Sequence, residues 1–400
     1  MENRYNLHED FLYDILRQEV SEMKVTVAID SFKGSLASLE AGKAVQEAIA
    51  KIDKSIEVAV RPLADGGEGT VTALSALPDA ETVEISVCGP LETPVKATYC
   101  ILRDTNTAVI EMAEAAGINL IPREQLNPMK TTTYGVGQMI SDAMERGCRS
   151  FLIGIGGSAT NDGGVGMLQA LGFQFLDEQG NQIARGAQGL EQLRSISAAN
   201  VHPQLKNCKF RIACDVNNPL CGERGCSCVY GPQKGATDEM ISKMNGWLER
   251  YAELAKAYNP EADANRQGAG AAGGLGFAFA TFTGGVLEPG VQIVLEETKL
   301  EEYIKDADLV VTGEGRLDGQ TVMGKAPVGV AELAKKHGKR VVAFSGCVSE
   351  DAEVCNRHGI DAYFPILRRI CTLEEALEPQ TAYQNLRDTA YQVFRLILLK

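Results

Sequence analysis

One pattern recurs along this chain and restricts its fold more than any other: a short, β-branched apolar run, a polar loop containing glycine, then apolar residues at helical spacing. The first instance is the run 25–29, which ends in Asp30-Ser31-Phe32-Lys33-Gly34-Ser35. Leu39, Gly42, Val45, Ile49 and Ile52 then recur at helical spacing, with Ser38 placed to cap the helix. Short apolar runs of this kind suit strands buried on both faces of a parallel sheet. The run 57–60 ends in Asp65-Gly66-Gly67-Glu68-Gly69, and 151–155 ends in Gly156-Gly157-Ser158 with Asn161-Asp162-Gly163-Gly164 beyond. The runs 210–214, 308–311 and 341–344 end in Asp215-Val216-Asn217-Asn218, Gly313-Glu314-Gly315-Arg316 and Ser345-Gly346. Strands alternating with helices predict an α/β fold with helices on the faces of parallel sheets.

Residues 80–125 read differently. The runs 82–87, 95–102 and 108–112 are predicted as short antiparallel strands, with turns at Gly89-Pro90 and Asp104-Thr105-Asn106. The simplest organisation is a parallel-sheet lobe of 23–75 and 290–400, interrupted by an inserted mixed α/β lobe of 76–289, with 128–165 assignable to either. Residues 1–22 read as an N-terminal extension and Met23 as a candidate start, because a fresh strand begins directly after it.

Composition excludes several classes. The formal net charge is −14, and the basic residues are scattered, so no cationic face for nucleic acid is visible. No apolar stretch approaches the ~18 residues of a membrane helix, and the first residues lack a secretory apolar core. Eleven cysteines, an odd number, without an export signal predict reduced thiols and a cytoplasmic setting. Cys221, Cys226 and Cys228 are not spaced as paired metal ligands. The four histidines lie outside the glycine-rich segments, which argues against histidine-based catalysis.

Ligands of open parallel α/β sheets sit beyond the carboxyl ends of strands. This chain concentrates its Gly, Asp, Asn, Ser, Lys and Arg there. A structural turn needs one glycine; two pairs flanking Ser158 and Asp162 let backbone N–H groups approach an anion without an intervening Cβ. No G-x-G-x-x-G follows the first strand, and the Gly319–Ala326 stretch resembles a P-loop but lacks its Ser or Thr and starts well after its strand. Phosphoryl transfer needs cations over the transferring group, carboxylates for a metal ion and a positioner for the attacking hydroxyl. Lys33, Lys234, Arg316 and Lys325 supply loop cations; Asp30, Asp65, Glu68, Asp162, Asp215, Glu314 and Asp318 supply loop carboxylates.

These loops, together with Asn218-Pro219-Leu220-Cys221-Gly222, Tyr230-Gly231-Pro232-Gln233-Lys234-Gly235-Ala236, the glycine-rich 268–276 and the 312–327 segment, resemble the type-1 glycerate kinase family in order and across nearly all of the chain from Met23. The resemblance implies ATP-dependent phosphorylation of D-glycerate to 2-phosphoglycerate or 3-phosphoglycerate, with Mg2+. It also implies a flavodoxin-like, Rossmann-like lobe interrupted by a second α/β lobe, with the active site in the cleft between them. It does not name a base, so roles rest on residue chemistry. Lys33 and Lys325 are expected to contact phosphates, and Arg316 the substrate carboxylate through its planar fork. Asp215 is the leading base or positioner, and Asp65 or Asp318 the expected magnesium ligand. Asp30, Ser31, Asp65, Gly66, Gly67, Glu68, Gly156, Gly157, Ser158, Asn161, Asp162, Gly163, Asn217, Lys234 and Glu314 complete the expected substrate and nucleotide contacts. The expected partners are a small hydroxy acid and ATP, with no nucleic acid and no membrane. A nicotinamide-dependent dehydrogenase of small hydroxy acids and a non-enzymatic sugar-acid sensor are the alternatives; the missing dinucleotide fingerprint weighs against the first, the surplus of loop charges against the second.

Overall fold

The computed structural model describes residues 23–67 and 69–399; the extension 1–22, Glu68 and Lys400 lie outside the described residues. The chain forms two compact units, one built from residues up to Leu63 and from Lys299 onward, the other from Ala64–Thr298.

The first unit is built on five strands, all parallel, in the order Ala362–Pro365, Arg340–Val348, Leu309–Leu317, Lys24–Ile29, Glu57–Val60. Counted within the unit this is 2-1-3-4-5, the flavodoxin-type winding, whose ligand position is the switch point between the first and third strands. The carboxyl ends flanking that point carry Asp30–Lys33 and Glu314–Asp318. Val25, Val27, Ile29, Val311 and Phe344 are buried in one cluster with Val45 and Ile49 of the helix Ser38–Ile52 and Leu386 and Phe394 of the helix Pro379–Ile397. Each fully buried side chain of this kind contributes about 1.5–3 kcal/mol.

Ser38 does not cap its helix. Ala37 occupies the cap position, and its N–H is taken by the Glu40 carboxylate at 3.0 Å. The buried Ser38 hydroxyl instead donates to the Ile29 carbonyl (2.7 Å) and accepts from the Leu63 N–H (2.8 Å), tying the end of the first strand to the segment that leaves the second. Ser38→Ala would strand one acceptor and one donor together, so a loss of about 2–3 kcal/mol is expected in a denaturant titration.

The second unit is built on a mixed six-stranded sheet in the order Val286–Glu288, Lys209–Ala213, Ser150–Gly154, Thr107–Glu111, Pro94–Leu102, Ala80–Cys88. The first four are parallel, and the last two add antiparallel strands. Thr107–Glu111 is therefore antiparallel on one side only and opens the parallel half on the other. Phe151 and Phe210, stacked at 4.8 Å on neighbouring strands, lie in a large buried cluster with Tyr251, Phe277 and Phe279. Among the described residues no helix is long and apolar enough to cross a membrane.

The units divide at 63/64 and 298/299, not at the 75/76 and 289/290 expected from sequence. Val71 and Leu74 are buried against Cys100, Leu102, Val109 and Leu152 of the second unit's sheet, together with Ile293 of the helix Gly290–Glu297. Both flanking segments thus belong to the second unit, and so does 128–165, whose strand Ser150–Gly154 lies in the middle of that sheet.

Candidate functional site

In the second unit the strands Ser150–Gly154 and Lys209–Ala213 end side by side. Their following residues line a cavity of about 340 Å³: Gly156, Gly157 and Ser158 from one, Cys214, Asp215 and Val216 from the other. Gly66 and Gly67 contribute a further wall, with Ile118, Tyr230, Lys234 and Ala272. The volume falls within the ~300–1,000 Å³ usual for small-molecule sites.

Glycines make this convergence possible. The Asp65-Gly66-Gly67 turn runs between Gly154 and Gly290. A Cβ on Gly66, whose φ is +85°, would lie 2.3 Å from the Gly290 Cα, and one on Gly154 would lie 2.8 Å from the Gly66 carbonyl oxygen. Asp65 closes the turn by accepting from the Gly67 N–H at 3.0 Å. Gly290 opens the helix Gly290–Glu297 and donates its N–H to the Asp215 carboxylate at 3.0 Å, which orients an otherwise exposed side chain. The wall at Ala272 is also unusual: it adopts left-handed φ/ψ of 51° and 40° ahead of two left-handed glycines, a conformation costly for alanine and often kept where a ligand is met.

Lys234, one of the expected contacts, lines the cavity from a buried position. It is 2% exposed, and its ammonium donates to Ser158 Oγ and to the Thr160 carbonyl, both at 2.7 Å. Burial lowers its pKa to about 8, against smaller opposing effects of Cys226 and Asp162. Among the described residues it forms no ion pair.

Three of the expected contact residues face the interior of this unit. Asp162 is fully buried and accepts from the Thr133 N–H (2.8 Å) and hydroxyl (2.9 Å), the Gly164 N–H (3.1 Å) and the Gly166 N–H (3.3 Å). Its pKa is raised by burial, with those hydrogen bonds acting in the other direction. Asn161 is also fully buried and donates to Ser227 Oγ at 2.7 Å. A Cβ on Gly163 would lie 2.9 Å from the Tyr251 ring. The glycine-rich loop therefore offers only Gly156–Ser158 to the cavity; its remainder anchors the loop. Asn217 is exposed and does not line the cavity.

The first unit gathers a separate set of charges at its switch point. Asp30 is buried, donates its N–H to the Gly313 carbonyl (2.9 Å) and accepts from the Ser31 N–H (2.7 Å). This fixes the loop that carries Lys33 beside Gly315, where a Cβ would lie 3.5 Å from the Lys33 backbone nitrogen. Glu314 is buried and accepts from the Thr321 hydroxyl at 2.7 Å. Burial raises its pKa; Thr321, Lys325 and Lys33 oppose the rise. Lys325, at the N-cap of the helix Ala326–Lys336, lies 3.9 Å from Glu314 and 3.6 Å from Asp318; Arg316 lies 3.2 Å from Asp318. The strand runs on to Leu317, so the near P-loop stretch begins two residues past its end, closer than the sequence suggested, and it ends with Lys325 at the N-cap position of the next helix.

Among the described residues no group of three or more His, Cys, Asp or Glu gathers as a cation cage. Sequence reasoning did not single out Tyr230, whose hydroxyl donates to Asn218 Oδ1 at 2.6 Å, or the left-handed Ala272. Tyr230 lies in a segment already notable for Gly-Pro and Lys, and Ala272 in the glycine-rich 268–276, so the signal for each was position within its run and not its residue type.

Comparison with known proteins gives a consistent picture. The model of the glycerate kinase family matches residues 25–398. A glycerate kinase of Haemophilus influenzae is 45% identical over 378 residues, covering 94% of this chain and all of that protein. A protein named glycerate 2-kinase from Escherichia coli is 44% identical, covering 91% of this chain and 95% of its own length. The crystal structure of a putative glycerate kinase 2 from Salmonella typhimurium superposes with a TM-score of 0.87 at 44% identity, covering 94% of this chain and 98% of that one.

Proposed function

The chain belongs to the glycerate kinase family, and from that premise we propose that it transfers the γ-phosphoryl group of ATP to the 2-hydroxyl of D-glycerate, giving 2-phosphoglycerate and ADP. It is a phosphotransferase with an alcohol acceptor. The observation that carries the reading is one cavity lined by both a carboxylate, Asp215, and a hydroxyl–ammonium pair, the half-buried Ser158 and the buried Lys234. The substrate oxygen attacks the γ-phosphorus, the bond to the β–γ bridging oxygen breaks, and the hydroxyl proton passes to Asp215. The relative named for the 2-position supports that choice of hydroxyl.

Lys33, Lys325 and Arg316 are assigned to the phosphates. Arg316 was expected at the substrate carboxylate, but its pairing with Asp318 beside Lys325 groups it with the phosphate-facing cations. Magnesium fits the same cluster as an ion carried with the nucleotide, since Mg2+ commonly takes one or two carboxylates and completes its shell with phosphate and water. Asp318 would hold it, with Glu314 alongside; Asp65 closes the Gly67 turn and is the weaker candidate. When bound, the ion neutralises charge on the transferring phosphates. Eleven free cysteines support a reducing, cytoplasmic setting.

The test is an enolase-coupled assay with Mg-ATP and D-glycerate, with ADP followed in parallel. Phosphoenolpyruvate and 2-phosphoglycerate together are expected to equal the ADP formed. ADP without phosphoenolpyruvate would reject the 2-hydroxyl, and the absence of both would reject glycerate.

A further inference from the structure

The cavity of the second unit has one charged group of each sign among its described lining residues, Lys234 and Asp215. Lys234 has three N–H donors; Ser158 Oγ and the Thr160 carbonyl accept two, and no acceptor for the third is found among the described residues. Because an ammonium can only donate, Ser158 Oγ accepts from it, and the Ser158 proton is directed to another acceptor. Gly156 and Gly157, both exposed on the same wall, carry no Cβ to hold a ligand off the backbone. The result is a buried cation with one uncommitted donor, beside a hydroxyl oriented to donate.

A buried ammonium without an ion pair is costly and gains from a desolvated anion. Which anion follows from the charge balance. With one cation and one carboxylate among its described lining residues, the cavity suits a ligand of single negative charge. A polyphosphate would meet Asp215 with only one compensating positive charge, whereas the first unit collects Lys33, Arg316 and Lys325 in one cluster. A planar carboxylate takes two or three donors, and a hydroxyl on the adjacent carbon is then left for Asp215.

We propose that Ser158 and Lys234 form the carboxylate-binding subsite for the acceptor, so that this cavity selects 2-hydroxycarboxylates and excludes the nucleotide. The inference rests on the kinase reading above for the identity of the acceptor, but its test reads binding and not turnover. Anion binding must hold Lys234 protonated, so affinity for D-glycerate falls as pH rises through about 8, the value to which burial brings Lys234. Facing Lys234 are Cys226 and Asp162; Cys214, whose thiol burial pushes up, Asp215 and Tyr230 share the cavity lining. The Cys226 thiol is pushed up to about 12 and burial raises Tyr230 above its ordinary value, so neither changes charge near pH 8. A contribution from Asp162 or Asp215 would persist in a Lys234 variant.

The experiment is isothermal titration of D-glycerate into wild type, Lys234→Met and Ser158→Ala, across pH 7–9.5 and in buffers of differing ionisation enthalpy. A non-hydrolysable ATP analogue is titrated separately. D-Glycerate is expected to bind about 100-fold more weakly to Lys234→Met and roughly tenfold more weakly to Ser158→Ala, with the ATP analogue within about twofold. Wild type should take up protons on binding above pH 8, and Lys234→Met should not. Methionine fills the lysine volume and removes a buried charge but leaves the Thr160 carbonyl without its donor, so the thermal midpoint is measured alongside; if that variant does not fold, Ser158→Ala and the wild-type proton uptake decide. Loss of ATP-analogue affinity with glycerate binding unmoved would overturn the proposal, as would glycerate binding without proton uptake above pH 8. If the coupled assay shows no kinase activity yet glycerate binding depends on Lys234 in this way, the subsite stands and the kinase reading falls.

Discussion

Asp215→Asn is expected to lower kcat for glycerate phosphorylation by about a thousandfold while leaving KM for ATP within about twofold. Asparagine keeps the shape of the side chain and can keep the oxygen that accepts from the Gly290 N–H at 3.0 Å, so the carboxamide should stay where the carboxylate is. What it loses is the charge and the capacity to take a proton. Phosphoryl transfer passes through a loose transition state, so a base chiefly positions the hydroxyl and accepts its proton late. An effect of about 10²–10⁴ is usual for such a group. The measurement is steady-state kinetics on protein with an unchanged thermal midpoint. A variant within tenfold of wild type would remove Asp215 from the reaction and leave it as a cap on the helix Gly290–Glu297.

How far the sequence led is clearest in residues that look alike in it. The strand runs 25–29, 57–60, 151–155 and 210–214 were legible because short, largely apolar runs ending in polar loops have few other uses, and the structure places strands there within a residue or so. The three-residue strands Gln174–Leu176, Ser195–Ser197 and Val286–Glu288 were not, because so short a segment carries no period. The unit boundaries slipped because Val71 and Leu74 read equally well as the apolar face of a helix on either sheet; only packing assigns them. In the site, Asp65, Asp162 and Asp215 are all aspartates in polar loops that follow strands. One closes a turn, one is buried in the interior and one lines the cavity. Spacing reported that polar residues gather at strand ends, but not which way each side chain turns, since that depends on long-range contacts such as Thr133 with Asp162. Lys234 shows the same limit from the other side: between Pro232 and Gly235 it reads as a loop cation that meets a ligand, but nothing local marks it as buried, since its partners Ser158 and Thr160 lie more than seventy positions earlier.

Asp162 gives the second large effect, and it is one of stability. Asp162→Ala is expected to destabilise the protein by about 3–5 kcal/mol, the usual result of removing one partner from a buried, hydrogen-bonded charged group. The Thr133, Gly164 and Gly166 N–H groups would lose their acceptor at once, and each unmet donor costs about 1–3 kcal/mol before the loop relaxes. For a unit of this size that corresponds to a fall of roughly 10 °C in thermal midpoint. Asp162→Asn keeps one acceptor oxygen but turns an NH2 toward donors, so an intermediate loss is expected. This pair of variants separates anchoring from ligand binding. If Asp162 met the substrate, Asp162→Asn would lose turnover at an unchanged midpoint; anchoring predicts the reverse order, with the midpoint falling first and the residual folded enzyme retaining most of its kcat. A midpoint unchanged in Asp162→Ala would refute the anchoring role. Because Asp162 also favours the protonated form of Lys234, Asp162→Asn should shift the weakening of glycerate binding to lower pH, a displacement that loss of packing alone would not produce.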